Sequence, residues 1–133
     1  IATAAVADWR PAAPAAEKIK KDGSGLPPTL NFIESPDILA AVARSPRALA
    51  KELFCVGFAA ESHDLLAHAT NKRARKGVPL LVGNIGPAAF GQDDNALLLV
   101  DADGHRALPR ASKRSLAQQL MADIAVRLSR WRA

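Results

Sequence analysis

Apolar positions along the chain fall into short blocks with two different spacings. Leu53-Phe54-Cys55-Val56-Gly57-Phe58 is a continuous apolar run, the pattern of a parallel strand covered on both faces. Pro79-Leu80-Leu81-Val82 is a second such run, closed by Gly83-Asn84. Residues 96–101 read as a third strand, Asp103-Gly104 as a hairpin turn, and residues 105–108 as the returning arm. Leu116, Leu120, Ile124 and Leu128 recur every four residues and mark the core stripe of a helix over about residues 112–130. Ser62 is positioned to cap an earlier helix that runs to about residue 76, where Gly77 ends it. Ser35-Pro36-Asp37 predicts another helix start, with Ser as cap and Pro in the first turn, running to about residue 44.

The amino-terminal third is less regular. Residues 1–7 are small and apolar and suit the end of a buried strand, stopped by Asp8-Trp9-Arg10-Pro11. Residues 11–29 form a proline-rich segment with little regular structure, and residues 29–33 read as a short strand. Strands alternating with helices predict an α/β sheet with a late β-hairpin. No internal repeat is visible.

Length and composition narrow the classes. The 133 residues suffice for one domain with a real core. Hydrophobic residues make up 49%, but alanine supplies many of them, so the core is lighter than that share suggests. One cysteine, Cys55, excludes an internal disulfide and a multi-cysteine metal site, which fits a reducing cytoplasm. No apolar run reaches the ~20 residues that span a bilayer. The chain opens on Ile1 directly in IATAAVAD and reads as a fragment entered mid-strand. The net charge of +5 favours anionic partners: nucleic acid, nucleotides or phosphorylated metabolites.

Candidate chemistry follows the charges. Lys72-Arg73-Ala74-Arg75-Lys76 places four cations in five residues, with Lys72 and Lys76 on one helix face. Either the negative end of the helix dipole or a polyphosphate laid across the pair offsets their repulsion. Glu17-Lys18-Ile19-Lys20-Lys21 is a second basic cluster. It is either a solvated segment or a loop that closes Lys18 over an anionic ligand. Asp8, Phe58 and Asn84 each follow a predicted strand, at the end where open α/β sheets bind ligands. Turn capping for Asp8 and Asn84 and core packing for Phe58 are the plain alternatives. The N–H groups that open the Pro36 helix either bind an anion or are simply capped. His63, His68 and His105 lack metal-ligand spacing, and His63 and His68, five apart, are expected on different sides of a helix. No GxSxG or GxxxxGK[ST] motif occurs, and a thiol inside an apolar run is inert.

The ordered set AAVADWRP, EKIKK, SPDILAAVA, VGFAAES, KRARKG, FGQDDNALLLV and LPRASK resembles phosphopantothenoylcysteine synthetase, the phosphopantothenate–cysteine ligase of coenzyme A biosynthesis. The resemblance covers nearly the whole chain and implies a three-layer Rossmann-like domain, here its carboxy-terminal, CTP-binding portion. It implies that the 4′-phosphopantothenate carboxylate attacks the α-phosphate of CTP, accompanied by Mg2+, and releases pyrophosphate. The cysteine amine then attacks the acyl-cytidylate and displaces CMP. It further implies a homodimer and, in many bacteria, fusion to an FMN-dependent phosphopantothenoylcysteine decarboxylase domain.

By the same resemblance, CTP contacts fall on Ala2, Thr3, Ala4, Asp8, Lys18, Pro36, Asp37, Ile38, Leu39, Phe58, Lys72 and Lys76, with Lys18 also catalytic. Phosphopantothenate contacts fall on Phe58 and Asn84 together with Ala4 and Ala5 of the neighbouring subunit, and no residue is assigned to a metal. Trp9, Ser35 and Ser62 depart mildly from the family pattern. The family's SGGT segment and catalytic asparagine have no match between Ile1 and Ala133, so the isolated chain is expected to be inactive. A non-catalytic nucleotide-binding or dimerisation module is the alternative. A nucleic-acid binder is disfavoured, because aromatic residues are only 5% and leave little stacking surface.

Overall fold

The structure is a computed structural model, and it describes residues 1–3 and 6–131. The chain divides into two compact units, residues 4–37 and residues 1–3 with 38–133.

The smaller unit is a two-stranded antiparallel ribbon, β1 (Trp9–Pro11) against β2 (Phe32–Glu34). Pro11 pairs with Phe32 at the end of β1, where its missing N–H costs least. The expected strand over residues 29–33 therefore lies later, and Trp9 to Pro11 form a strand instead of stopping one. The segment between them is exposed and has no helix or strand.

The larger unit holds a four-stranded sheet in the order β3 (Val56–Glu61), β4 (Leu80–Ile85), β5 (Asp94–Val100) and β6 (His105–Ser112). The β3–β4 pair is parallel and the next two pairs are antiparallel. Helices α1 (Ile38–Ala43), α2 (Pro46–Leu49), α3 (Leu65–Lys76), α4 (Gly86–Ala89) and α5 (Lys113–Trp131) complete the unit.

Side-chain alternation along the strands builds a core on each face of the sheet. Val56, Leu80, Val82, Leu99 and Leu108 pack with Leu116, Leu120 and Ile124 of α5. Ala59, Leu81 and Val100 pack with Ala43 of α1 and Ala69 of α3 on the other face. The domain is thus a three-layer α/β/α sandwich. Of the stripe expected for the last helix, Leu116, Leu120 and Ile124 enter the α5-facing core, while Leu128 is only half-buried and lies outside it. The second core is built on small residues. A Cβ on Gly57 would sit 2.7 Å from Leu39 Cδ2, and one on Gly83 would sit 2.9 Å from Leu65 Cδ1. Glycine at these two strand positions lets α1 and α3 approach the sheet.

Several boundaries differ from the sequence expectation for identifiable reasons. The first strand of the larger unit is reduced to one parallel bridge, Ala2 to Gly57, with the Ala2 N–H donating to Val56 O at 2.8 Å. Helix α1 begins at Ile38, because the Ser35 N–H donates to Asp8 O at 2.7 Å and extends the ribbon ladder. The Ser-Pro start signal is realised one motif later: Ser45 Oγ accepts from the Ala48 N–H, with Pro46 opening α2. Strand β3 starts three residues late and continues through Ala59-Ala60 to Glu61. Helix α3 is preceded by Asp64, not Ser62, and Gly77 closes it at φ 71°. Strand β6 continues to Ser112, well beyond residue 108.

Candidate functional site

Within the larger unit, the carboxyl ends of the parallel strands bring several expected residues into one region. Phe58 is the third residue of β3 and Asn84 the fifth of β4, so each lies inside a strand rather than after it. The register pairs Phe58 with Val82 and Ala60 with Asn84. Alternation puts Phe58 and Asn84 on the same sheet face, both half-buried. Phe58 also packs against the α5-facing core, so it has the structural role its apolar run suggested.

Glu61, the last residue of β3, belongs to the opposite face. Its Oε1 lies 2.8 Å from Lys72 Nζ, and both side chains are largely buried. Lys72 is thus held by a carboxylate that the spacing argument did not pair with it. The last turn of α3 carries Arg73, Arg75 and Lys76, where the helix dipole favours cations. Arg73 donates to Val78 O at 3.2 Å, and Arg75 O accepts from Arg44 at 2.8 Å. Much of the basic cluster therefore closes the end of α3.

The remaining expected residues fall elsewhere. Ala2 and Thr3 are exposed beside the start of β3, and Ile38 and Leu39 open α1. Asp8, Lys18, Pro36 and Asp37 belong to the smaller unit; all four are exposed, and the Asp8 carbonyl is held by Ser35. Ala4 and Ala5 lie outside the described residues.

Two features escaped the sequence reading. His63 and His68 are not on different sides: their ring centroids are 5.2 Å apart, because the left-handed Asp64 turns the chain back before α3 begins. With Asp64 they place three ligand atoms within 4.8 Å of one another. A 1040 Å3 groove opens at the other end of the sheet, lined by Phe54, Arg73, Arg106, Arg127, Arg130 and Trp131 among others.

Arg127 bonds both Asp123 and Asp101, and Arg106 reaches Asp123 at 2.7 Å, joining the β5–β6 hairpin to α5. Burial raises the Asp101 carboxyl, but the Arg127 hydrogen bond and the N–H groups of Asp103 and Gly104 outweigh it and hold its pKa below the ordinary value. Arg110 holds Asp94 below its usual range through a 2.5 Å bond. These arginines fasten the hairpin, so the groove's basic lining is in part structural.

Residues 1–128 match the family model described as the DNA/pantothenate metabolism flavoprotein C-terminal domain. The chain belongs to this family. Among curated members, the coenzyme A biosynthesis bifunctional protein CoaBC of Escherichia coli is 40% identical over 132 residues, covering 96% of this chain and 32% of that protein. CoaBC of Vibrio cholerae is 41% identical over 125 residues, covering 91% of this chain and 30% of its own length. CoaBC of Mycobacterium tuberculosis is 42% identical over 130 residues, with 91% and 31% covered. The chain therefore spans under a third of the length of these relatives.

The family fold is matched as well. The crystal structure of the C-terminal domain of CoaBC superposes with a TM-score of 0.69 at 24% identity, covering 96% of this chain and 53% of that one. A Cab2 variant in complex with phosphopantothenate-cysteine superposes at 0.62 with 17% identity, covering 77% and 33%. Both agree with a partial Rossmann-like α/β domain. No helix among the described residues is long and apolar enough to cross a membrane.

Proposed function

We propose that this chain is the CTP-binding portion of a phosphopantothenate–cysteine ligase of coenzyme A biosynthesis. The observation that carries this reading is the 40% identity to CoaBC of Escherichia coli across 96% of the chain. In this reading the carboxylate of 4′-phosphopantothenate attacks the α-phosphate of CTP and expels pyrophosphate. The cysteine amine then attacks the acyl carbon of the acyl-cytidylate and displaces CMP.

The residues divide the work by their chemistry. Lys72 and Lys76 neutralise the triphosphate, and Mg2+ enters with it as the companion of the phosphate oxygens. Asp8 accepts from the ribose, and Ala2, Thr3 and the Pro36, Asp37, Ile38 and Leu39 segment hold ribose and base. Lys18, on an exposed loop, stabilises charge that develops on the reacting phosphate. Phe58 and Asn84 share one face of the β3–β4 pair, which supports a common phosphopantothenate subsite; in this reading Ala4 and Ala5 of the neighbouring subunit complete it. FMN is assigned to a fused decarboxylase domain and not to these residues. The working unit is a homodimer, and the 133 residues by themselves make no amide.

Calorimetry with CTP, ATP and a short oligonucleotide at two salt concentrations tests this reading. CTP binding tighter than ATP, with no salt-sensitive oligonucleotide binding, is expected. Equal or tighter ATP binding overturns the cytidine assignment. Oligonucleotide binding that weakens steeply with salt favours the nucleic-acid alternative.

A further inference from the structure

Ser62, His63 and Asp64 join β3 to α3, and their geometry is not explained by helix capping. Asp64 stands at the N-cap of α3 with φ 45° and ψ 43°, yet its side chain makes no capping hydrogen bond. Aspartate at this position ordinarily accepts from a first-turn N–H. A non-glycine residue in the left-handed region is uncommon, although aspartate adopts it more readily than most. The turn lays His63 against His68, with ring planes 89° apart. One ligand atom from each of His63, Asp64 and His68 falls within 4.8 Å of the others, and all three side chains are exposed. Ser62 Oγ lies 2.8 Å from His63 Nδ1. If Nδ1 donates this bond, Nε2 keeps its lone pair, the arrangement that metal-bound histidines commonly show.

We propose that His63, Asp64 and His68 form a binding site for a divalent transition-metal ion, with Zn2+ as the best match. Two imidazoles and one carboxylate suit zinc, whereas Mg2+ and Ca2+ prefer all-oxygen sets. Tetrahedral zinc holds its donors about 3.4 Å apart. The three side chains are exposed, so binding requires them to turn inward from the 4.8 Å spacing. The fourth position falls to water. The α3 dipole opposes a cation at this end, and the Asp64 carboxylate offsets it. A bound ion ties the Ser62–Asp64 corner to the first turn of α3 and gives the left-handed Asp64 a function. The site stands at the opposite end of α3 from Lys76, about 18 Å along the axis by helix rise, and does not depend on the nucleotide reading.

The test is calorimetric titration of the purified chain with ZnCl2 in a non-chelating buffer, alongside visible absorption with Co2+. One equivalent of zinc is expected to bind, with d–d bands for cobalt. His63→Ala and His68→Ala should each weaken zinc at least about tenfold, and Ser62→Ala by a smaller factor. Asp64→Asn keeps a residue tolerant of the left-handed backbone and should also weaken binding. His105→Ala, at the start of β6 and outside the cluster, should bind as the parent does. Circular dichroism checks that each exposed-site variant folds. No saturation below millimolar zinc, or unchanged affinity in the His63→Ala/His68→Ala double variant, overturns the proposal, as does a loss in His105→Ala equal to that in His68→Ala.

Discussion

Lys72 Nζ and Glu61 Oε1 stand 2.8 Å apart, so the lysine proposed for the triphosphate is already paired with a strand-end carboxylate. An incoming phosphate must compete with Glu61 for it. Glu61→Gln removes the competitor and is expected to tighten pyrophosphate binding several-fold at low ionic strength. Titration of both proteins at two salt concentrations reads this, and weaker binding by the variant would mean that Glu61 orients Lys72 for the anion.

Lys72→Ala and Lys76→Ala are expected to weaken CTP far more than CMP. Charge-assisted contacts of this type contribute about 1.5–3 kcal/mol each, roughly one to two decades in affinity. Calorimetry with both nucleotides separates the cases. Equal losses for CTP and CMP would remove the β- and γ-phosphates from these lysines.

Lys18→Gln, in a longer protein that carries the whole ligase, is expected to leave CTP affinity within a few fold while slowing amide formation. Lys18 is exposed on a segment without helix or strand, so its charge counts most once the loop closes on the reacting complex. Turnover equal to that of the parent would reduce the loop to a solvated segment.

Gly57→Ala is expected to destabilise the larger unit by about 1–3 kcal/mol, the usual range for overpacking. The added Cβ would meet Leu39 Cδ2 at 2.7 Å and Leu81 Cδ1 at 2.8 Å. Leu81 is fully buried, so a shift of its side chain must be absorbed by the surrounding core. Thermal unfolding measures the loss, and an unchanged midpoint would show that α1 can lift from the sheet at little cost.

Acid should loosen the β5–β6 hairpin. Asp101 and Asp94 titrate below their ordinary values in the folded chain. Their stabilisation is complete above the unfolded carboxylate pKa and is lost as pH falls through the lower folded values. The window therefore lies below about pH 4. Asp101→Asn should melt lower than the parent at pH 7, with the two curves converging in acid. A constant gap down to pH 2 would assign the loss to packing instead of charge.

Local chemistry made part of this molecule legible in advance. The four-residue spacing of Leu116, Leu120 and Ile124 placed the α5 stripe, because a helix can bury that spacing on only one face. Gly77 placed the end of α3, because the left-handed cap favours glycine. Asp103-Gly104 placed the hairpin. The ordered motifs carried the family. Tertiary packing decided what these signals leave open. Strand β3 runs on to Glu61 because Ala59 fits under α1 and α3, and alanine by itself carries no strand signal. Ser35-Pro36 and Ser45-Pro46 look alike, but a hydrogen bond to Asp8 keeps Ser35 in the ribbon and leaves the capping role to Ser45. Lys72 finds Glu61, and His63 finds His68, through a chain reversal and a left-handed residue that helical spacing does not contain. Contacts of this kind depend on where turns and whole elements come to rest in space, which the spacing of residues along one element does not specify.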